Sequence, residues 1–135
     1  MVKASWSVSS QSSSVLYIVD ANGDERRSLV ALLERLGCEI HSCDSAEAFL
    51  EQIDGPRPFV LLAANELPGI GGIQLLQELR HRAIQAPTIL ISDESDIQTA
   101  VSAIRAGAAD FIERPFIDRI LLRRVQAALE ASEEA

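Results

Sequence analysis

The chain is poor in the residues that usually carry covalent or metal chemistry. Its 135 residues include two cysteines, two histidines and one lysine, Lys3, so the other eleven basic residues are arginines. A P-loop lysine or a Schiff-base lysine within the folded body is thereby excluded. Cys38 and Cys43 are five apart, which on a strand puts them on opposite faces, unable to pair with each other. Reduced thiols and a cytoplasmic location are expected. No Cys/His cluster has zinc spacing. No apolar run approaches the ~20 residues needed to span a bilayer, and no apolar segment near the start reads as a signal peptide. Positive charge is scarce too: 12 Lys+Arg stand against 20 Asp+Glu, a net charge of −8. Such a surface repels duplex DNA and anionic lipid, so neither nucleic acid nor membrane is an expected direct partner.

What remains is enough for one domain with a substantial core. Residues 1–14 are serine-rich without apolar period and read as a disordered leader, with Trp6 exposed in it. From residue 15 strand and helix patterns alternate. The runs Val15-Leu16-Tyr17-Ile18-Val19, Phe59-Val60-Leu61-Leu62-Ala63-Ala64 and Thr88-Ile89-Leu90-Ile91-Ser92 are continuous and apolar, as in strands buried on both faces. Shorter strands are predicted over 38–43 and 109–113. Leu29, Leu32, Leu33 and Leu36 mark a first helix face, with Asp24 and Glu25 at its start and Gly37 after its end. A short helix opens at Ser45 and closes at Gly55-Pro56. A third helix carries Ile73, Leu76 and Leu79. A fourth, with Asp96 as cap and Gly107 as stop, places Ile97, Ala100, Val101 and Ile104 on its apolar face. A fifth runs from Phe116 to about Ala131 with Ile120, Leu121, Val125 and Leu129 inward, leaving 132–135 as an acidic tail or linker.

Five strands in strict alternation with five helices imply an α/β fold: a parallel sheet covered on both faces, in the flavodoxin-like (βα)5 order 2-1-3-4-5 across residues 15–131. Ligands of such sheets bind beyond the carboxyl ends of the strands. Those ends supply Asp20, Ala21 and Asn22; Ala64, Asn65 and Glu66; Ser92, Asp93 and Glu94; and Glu113, Arg114 and Pro115. Gly69, Gly71 and Gly72 lack the spacing of a phosphate-binding loop and read as helix entry. Asp93 and Glu94 could form a relocated metal site with Asp20, but a solvated loop is the simpler reading. His41 and His81 are not placed at this rim.

On Ile18-Val19-Asp20, Ser45 to Leu50, Leu67-Pro68-Gly69 and the run from Ala100 to Phe116, the chain resembles the receiver domain of bacterial two-component response regulators, of the transcription-factor type. The resemblance implies phosphoryl transfer from a histidine kinase to an aspartate at the end of the third strand. It also implies Mg²⁺ held by that aspartate and two acids after the first strand, with a Ser/Thr and a Lys on the phosphoryl group. Carried over residue by residue, Asp20 matches the first acid, Ala21 stands at the second, and Ala64 stands at the acceptor. Ser92 matches the Ser/Thr, Arg114 before Pro115 replaces the lysine, and Phe111 matches an aromatic switch. Between Phe59 and Gly69 the only acid is Glu66, in the loop.

Alanine has no nucleophilic oxygen, so normal aspartyl phosphorylation is not expected, and Asp20 alone is a weak Mg²⁺ ligand; no cofactor and no enzymatic activity are expected. Arginine, a planar fork suited to carboxylates, could pair with Asp20 across the pocket. The leading reading is a degenerate receiver working through protein contacts with a histidine kinase, an output domain or a second copy. Arg119 and Arg123 on the last helix are its candidate output or dimer face. The alternatives are a phosphotransfer receiver with a non-standard acceptor and a flavodoxin-like small-ligand module.

Overall fold

The computed structural model describes residues 14–53, 58–93 and 97–134. The serine-rich residues 1–13, the Gly55-Pro56 stop, Glu94 and the Asp96 cap lie outside the described residues. Five strands, β1 (Val15–Val19), β2 (Glu39–Cys43), β3 (Phe59–Ala64), β4 (Thr88–Ser92) and β5 (Asp110–Glu113), form one sheet. All neighbours are parallel and the order is β2-β1-β3-β4-β5, as the alternation predicts. Five α-helices connect them: α1 (Gly23–Leu33), α2 (Ala46–Gln52), α3 (Gly72–His81), α4 (Ile97–Arg105) and α5 (Asp118–Glu134).

Two apolar layers result from the two-residue period of the strands. Leu16 and Ile18 of β1, with Val60, Leu62, Ile89 and Ile91, pack under Leu29 and Leu33 of α1 and Leu121, Val125 and Leu129 of α5. Val19, Leu61 and Leu90 point the other way, against Phe49 of α2, Leu75 and Leu79 of α3 and Ala103 of α4. Cys43 belongs to the second layer and Cys38 packs at the margin of the first, so the two thiols sit across the sheet and are both free. Burial pushes both above the ordinary thiol range, and neither is an activated nucleophile.

Local chemistry sets the helix ends. The Asn22 side chain accepts from Glu25 N–H at the start of α1, and Ser45 does the same for Ala48 in α2. Gly37, at φ 75°, ends the 3₁₀ turn Glu34–Leu36 in the left-handed conformation that glycine adopts without strain. Gly72 has another reason to be glycine. A Cβ there would lie 2.9 Å from Asn65 Cα and 3.0 Å from the Ala64 carbonyl oxygen, so α3 enters directly against the end of β3.

Three expectations are corrected. In α4, Ile97, Val101 and Ile104 face solvent, Ile97 being 80% exposed, and only Ala103 is buried. The helix carries two apolar faces, and the smaller, alanine-lined one docks on the sheet. Helix α5 continues through Glu134 rather than ending near Ala131. Ser132 therefore lies in the helix rather than in a tail, and it is buried in a hydrogen bond with Ser14, which belongs to the domain rather than to the leader. Smaller shifts are β2 beginning at Glu39 and β5 at Asp110.

Candidate functional site

The carboxyl ends of β1, β3, β4 and β5 meet at one rim. The sheet register aligns Val19 with Ala63, Ala64 with Ile91, and Ser92 with Glu113, so Asp20, Ala64, Ser92 and Arg114 stand at the ends of four strands. Asp20 is buried. Its Oδ1 accepts from the Asn22 backbone N–H at 2.9 Å and its Oδ2 from Arg114 Nη2 at 2.8 Å. Its carbonyl oxygen accepts from Arg26 Nη1 at 2.6 Å, a contact without a sequence signal. The pairing of Asp20 with Arg114 across 94 residues is thus present, with side chains only 6% and 13% exposed. Arg114 also lies 3.5 Å from Asp93 Oδ1 and 3.8 Å from Glu25 Oε1. Its Nε, the atom nearest Glu25, is buried and makes no hydrogen bond.

A second cluster forms on the other side. Ala64 is buried, and the chain turns after it so that Glu66 reaches back over the end of β4. Glu66 Oε2 accepts from the Ser92 hydroxyl at 2.6 Å and from Asn65 Nδ2 at 3.2 Å, while Oε1 accepts from the Asp93 backbone N–H at 3.2 Å. Desolvation raises the Glu66 carboxyl pKa, but the donors Ser92, Asp93 and Asn65 together outweigh it and hold the group below its usual value. Asp93 joins the clusters: its amide faces Glu66 and its carboxylate faces Arg114.

Ala21 is exposed beside Asp20, and Pro115 is exposed after Arg114. Phe111 is half-buried at the margin of the layer under α2, α3 and α4. Arg119 and Arg123 are exposed on α5, whereas their neighbour Arg124 holds Asp110 at 2.8 Å. His41 lies on edge strand β2, bonded to Glu39 at 2.6 Å and stacked on Tyr17, and His81 is exposed at the end of α3. Among the described residues no three His, Cys, Asp or Glu side chains converge on a common metal position. The rim does not fit Mg²⁺, a hard cation that takes several oxygens. Asp20 spends one carboxylate oxygen on a guanidinium and the other on a backbone amide, and Ala21 and Ala64 offer only methyl groups.

Comparison with known proteins agrees with the fold. The family model described as the response regulator receiver domain matches residues 16–126. The chain is 36% identical to the transcriptional regulatory protein FixJ of Rhizobium meliloti (strain 1021) over 115 residues, covering 85% of this chain and 56% of the relative. It is 33% identical over 121 residues to the response regulator protein TodT of Pseudomonas putida, covering 90% and 53%. The chain thus spans about half the length of the curated relatives it matches. A crystal structure of a response regulator receiver protein from Pseudoalteromonas atlantica superposes with a TM-score of 0.80 at 39% identity, covering 87% of this chain and 98% of that one. The FixJ-N crystal structure gives 0.80 at 36% identity, covering 87% and 94%.

Proposed function

This chain belongs to the response regulator receiver domain family, and from that premise we propose that it is an atypical receiver, one that serves two-component signalling through protein contacts without normal aspartyl phosphorylation. The observation that carries this reading is the alanine at the end of β3, where the resemblance places the acceptor, next to an Asp20 already neutralised by Arg114. An acyl phosphate needs a carboxylate oxygen as nucleophile, and its formation needs a cation to take up the charge on the transferring group. At the expected acceptor position Ala64 offers only a methyl group, and the positive charge beside Asp20 is a guanidinium held in an ion pair. In this reading the domain has no enzymatic activity and no bound Mg²⁺, and it works in the cytoplasm.

The contact surface follows from what α4 and α5 leave exposed. Ile97, Val101 and Ile104 of α4 and Ile117 just before α5 are large exposed apolar side chains, and Arg119 and Arg123 are exposed on α5. Such an apolar and basic face suits a protein partner: a histidine kinase, an output domain, or a second copy. FixJ is named a transcriptional regulatory protein and TodT a response regulator protein, and an output domain that reads DNA would be separate from this receiver fold.

The test is incubation of the full chain with Mg²⁺ and acetyl phosphate, followed by intact-mass spectrometry. The reading expects an unchanged mass. A stoichiometric phosphoryl adduct would refute it, and peptide mapping would then identify the unusual acceptor.

A further inference from the structure

Around the Glu66 carboxylate three hydrogen-bond donors converge from two separate loops. The Ser92 hydroxyl and the Asp93 backbone N–H come from the end of β4, and the Asn65 side-chain amide comes from the loop after β3. Two further features make this more than a surface contact. Ser92 is fully buried and its backbone belongs to β4, so its hydroxyl is presented from the rigid sheet. And the three donors address both oxygens of one carboxylate, which is how a small oxyanion is held.

We propose that these groups form a small oxyanion site that the chain fills with its own Glu66, an internal ligand that shuts the pocket to carboxylate-sized or phosphate-sized anions. The proposal deepens the reading above and rests on it in one respect: no phosphoryl group arrives on β3 to compete for the same donors. Glu66 can take this place because Ala64 leaves the floor of the pocket uncharged. A carboxylate two residues earlier would repel it at short range. The lowered pKa of Glu66 accords with a carboxylate bound in its charged form. With Glu66 seated, the loops after β3 and β4 are tied directly to each other. Asp93 extends the tie to Arg114 and Asp20, so side-chain contacts add to the backbone hydrogen bonds that link the ends of four strands.

The test is amide exchange of Asp93, read by NMR on the ¹⁵N-labelled full chain, with Glu66→Ala and Glu66→Gln beside the wild type. Loss of a charge-assisted hydrogen bond predicts exchange about tenfold faster in Glu66→Ala. Sodium formate, but not sodium chloride at equal ionic strength, should restore protection in that variant and leave the wild type unaffected. Glu66→Gln, which keeps an acceptor oxygen without the charge, should fall between. Unchanged exchange in Glu66→Ala, or no response of that variant to formate, overturns the proposal. A phosphoryl adduct on the wild type would defeat the reading of function while leaving the formate response standing, so the two failures are distinguishable.

Discussion

Replacing Arg114 with glutamine removes one partner of an ion pair whose side chains are 6% and 13% exposed and whose closest approach is 2.8 Å. Such a pair does not owe its importance to its net contribution, since burying both charges costs nearly what their attraction returns. Breaking it is expensive because one charge is left behind in a poor solvent, typically at a cost of ~3–5 kcal/mol. Asp20 keeps the Asn22 amide as a donor, so a cost somewhat below that range, about 2–3 kcal/mol, is expected. For a domain of this size that corresponds to a fall in Tm of about 8–12 °C. The partners Asp93 and Glu25, 69% and 46% exposed at 3.5 and 3.8 Å, should each account for less than ~0.5 kcal/mol. The assay is a double-mutant cycle, with Asp20→Asn, Arg114→Gln and the double variant melted beside the wild type. The cycle should return a coupling energy of about 2 kcal/mol, because the double variant no longer buries a lone charge. A Tm for Arg114→Gln within about 2 °C of the wild type, or a coupling below ~0.5 kcal/mol, would refute the claim that this pair takes the place of a cation at the rim.

Glu66 makes a smaller, pH-dependent contribution. Its carboxyl lies below the ordinary value of 4.5 in the folded chain, so its stabilisation is present above that pH and is lost as pH falls through the folded value. A difference in Tm between wild type and Glu66→Gln, worth less than ~1 kcal/mol for so exposed a group, should exist at pH 7 and shrink away in thermal melts as pH falls through the lowered folded value. Gly72→Ala should cost about 1–3 kcal/mol in urea unfolding, because the added Cβ meets backbone at 2.9 and 3.0 Å as well as the buried Leu90 side chain at 3.0 Å. Val101→Ser and Ile104→Ser should leave Tm within about 2 °C, since both side chains are already in water, while weakening partner binding or self-association measured by sedimentation. A large loss of stability in either would show that α4 docks through its isoleucine face after all.

The architecture was legible because each strand of the inner sheet is an unbroken apolar run and each helix a repeating one. The order of the sheet followed from the handedness of crossovers, and the rim from the strand ends. Arg114 and Asp20 could be paired in advance because each directly follows a strand. The two faces of α4 could not be told apart. Ile97, Val101 and Ile104 have ideal helical spacing, and periodicity does not say whether a stripe faces the sheet or the solvent when alanines can fill the inner side. The reach of Glu66 to Ser92 was also hidden. The residues are 26 apart, and their meeting depends on the β3–β4 register and on the reversal of the chain after Ala64. The Ser14–Ser132 contact, across 118 residues, has no local signal of any kind.

The central claim is that the rim is a receiver pocket lacking its nucleophile and its cation ligands, with Arg114 and Glu66 closing it from within. It is tested most directly by restoring what is missing. Wild type and the variant Ala21→Asp/Ala64→Asp/Arg114→Lys should be treated side by side with Mg²⁺ and acetyl phosphate, with Mg²⁺ binding followed by calorimetry and mass by intact spectrometry. The account predicts that the restored variant binds Mg²⁺ and gains one phosphoryl group on the carboxylate introduced at position 64, while the wild type does neither. A phosphorylated wild type, or a restored variant that neither binds Mg²⁺ nor takes the phosphoryl group, would contradict it.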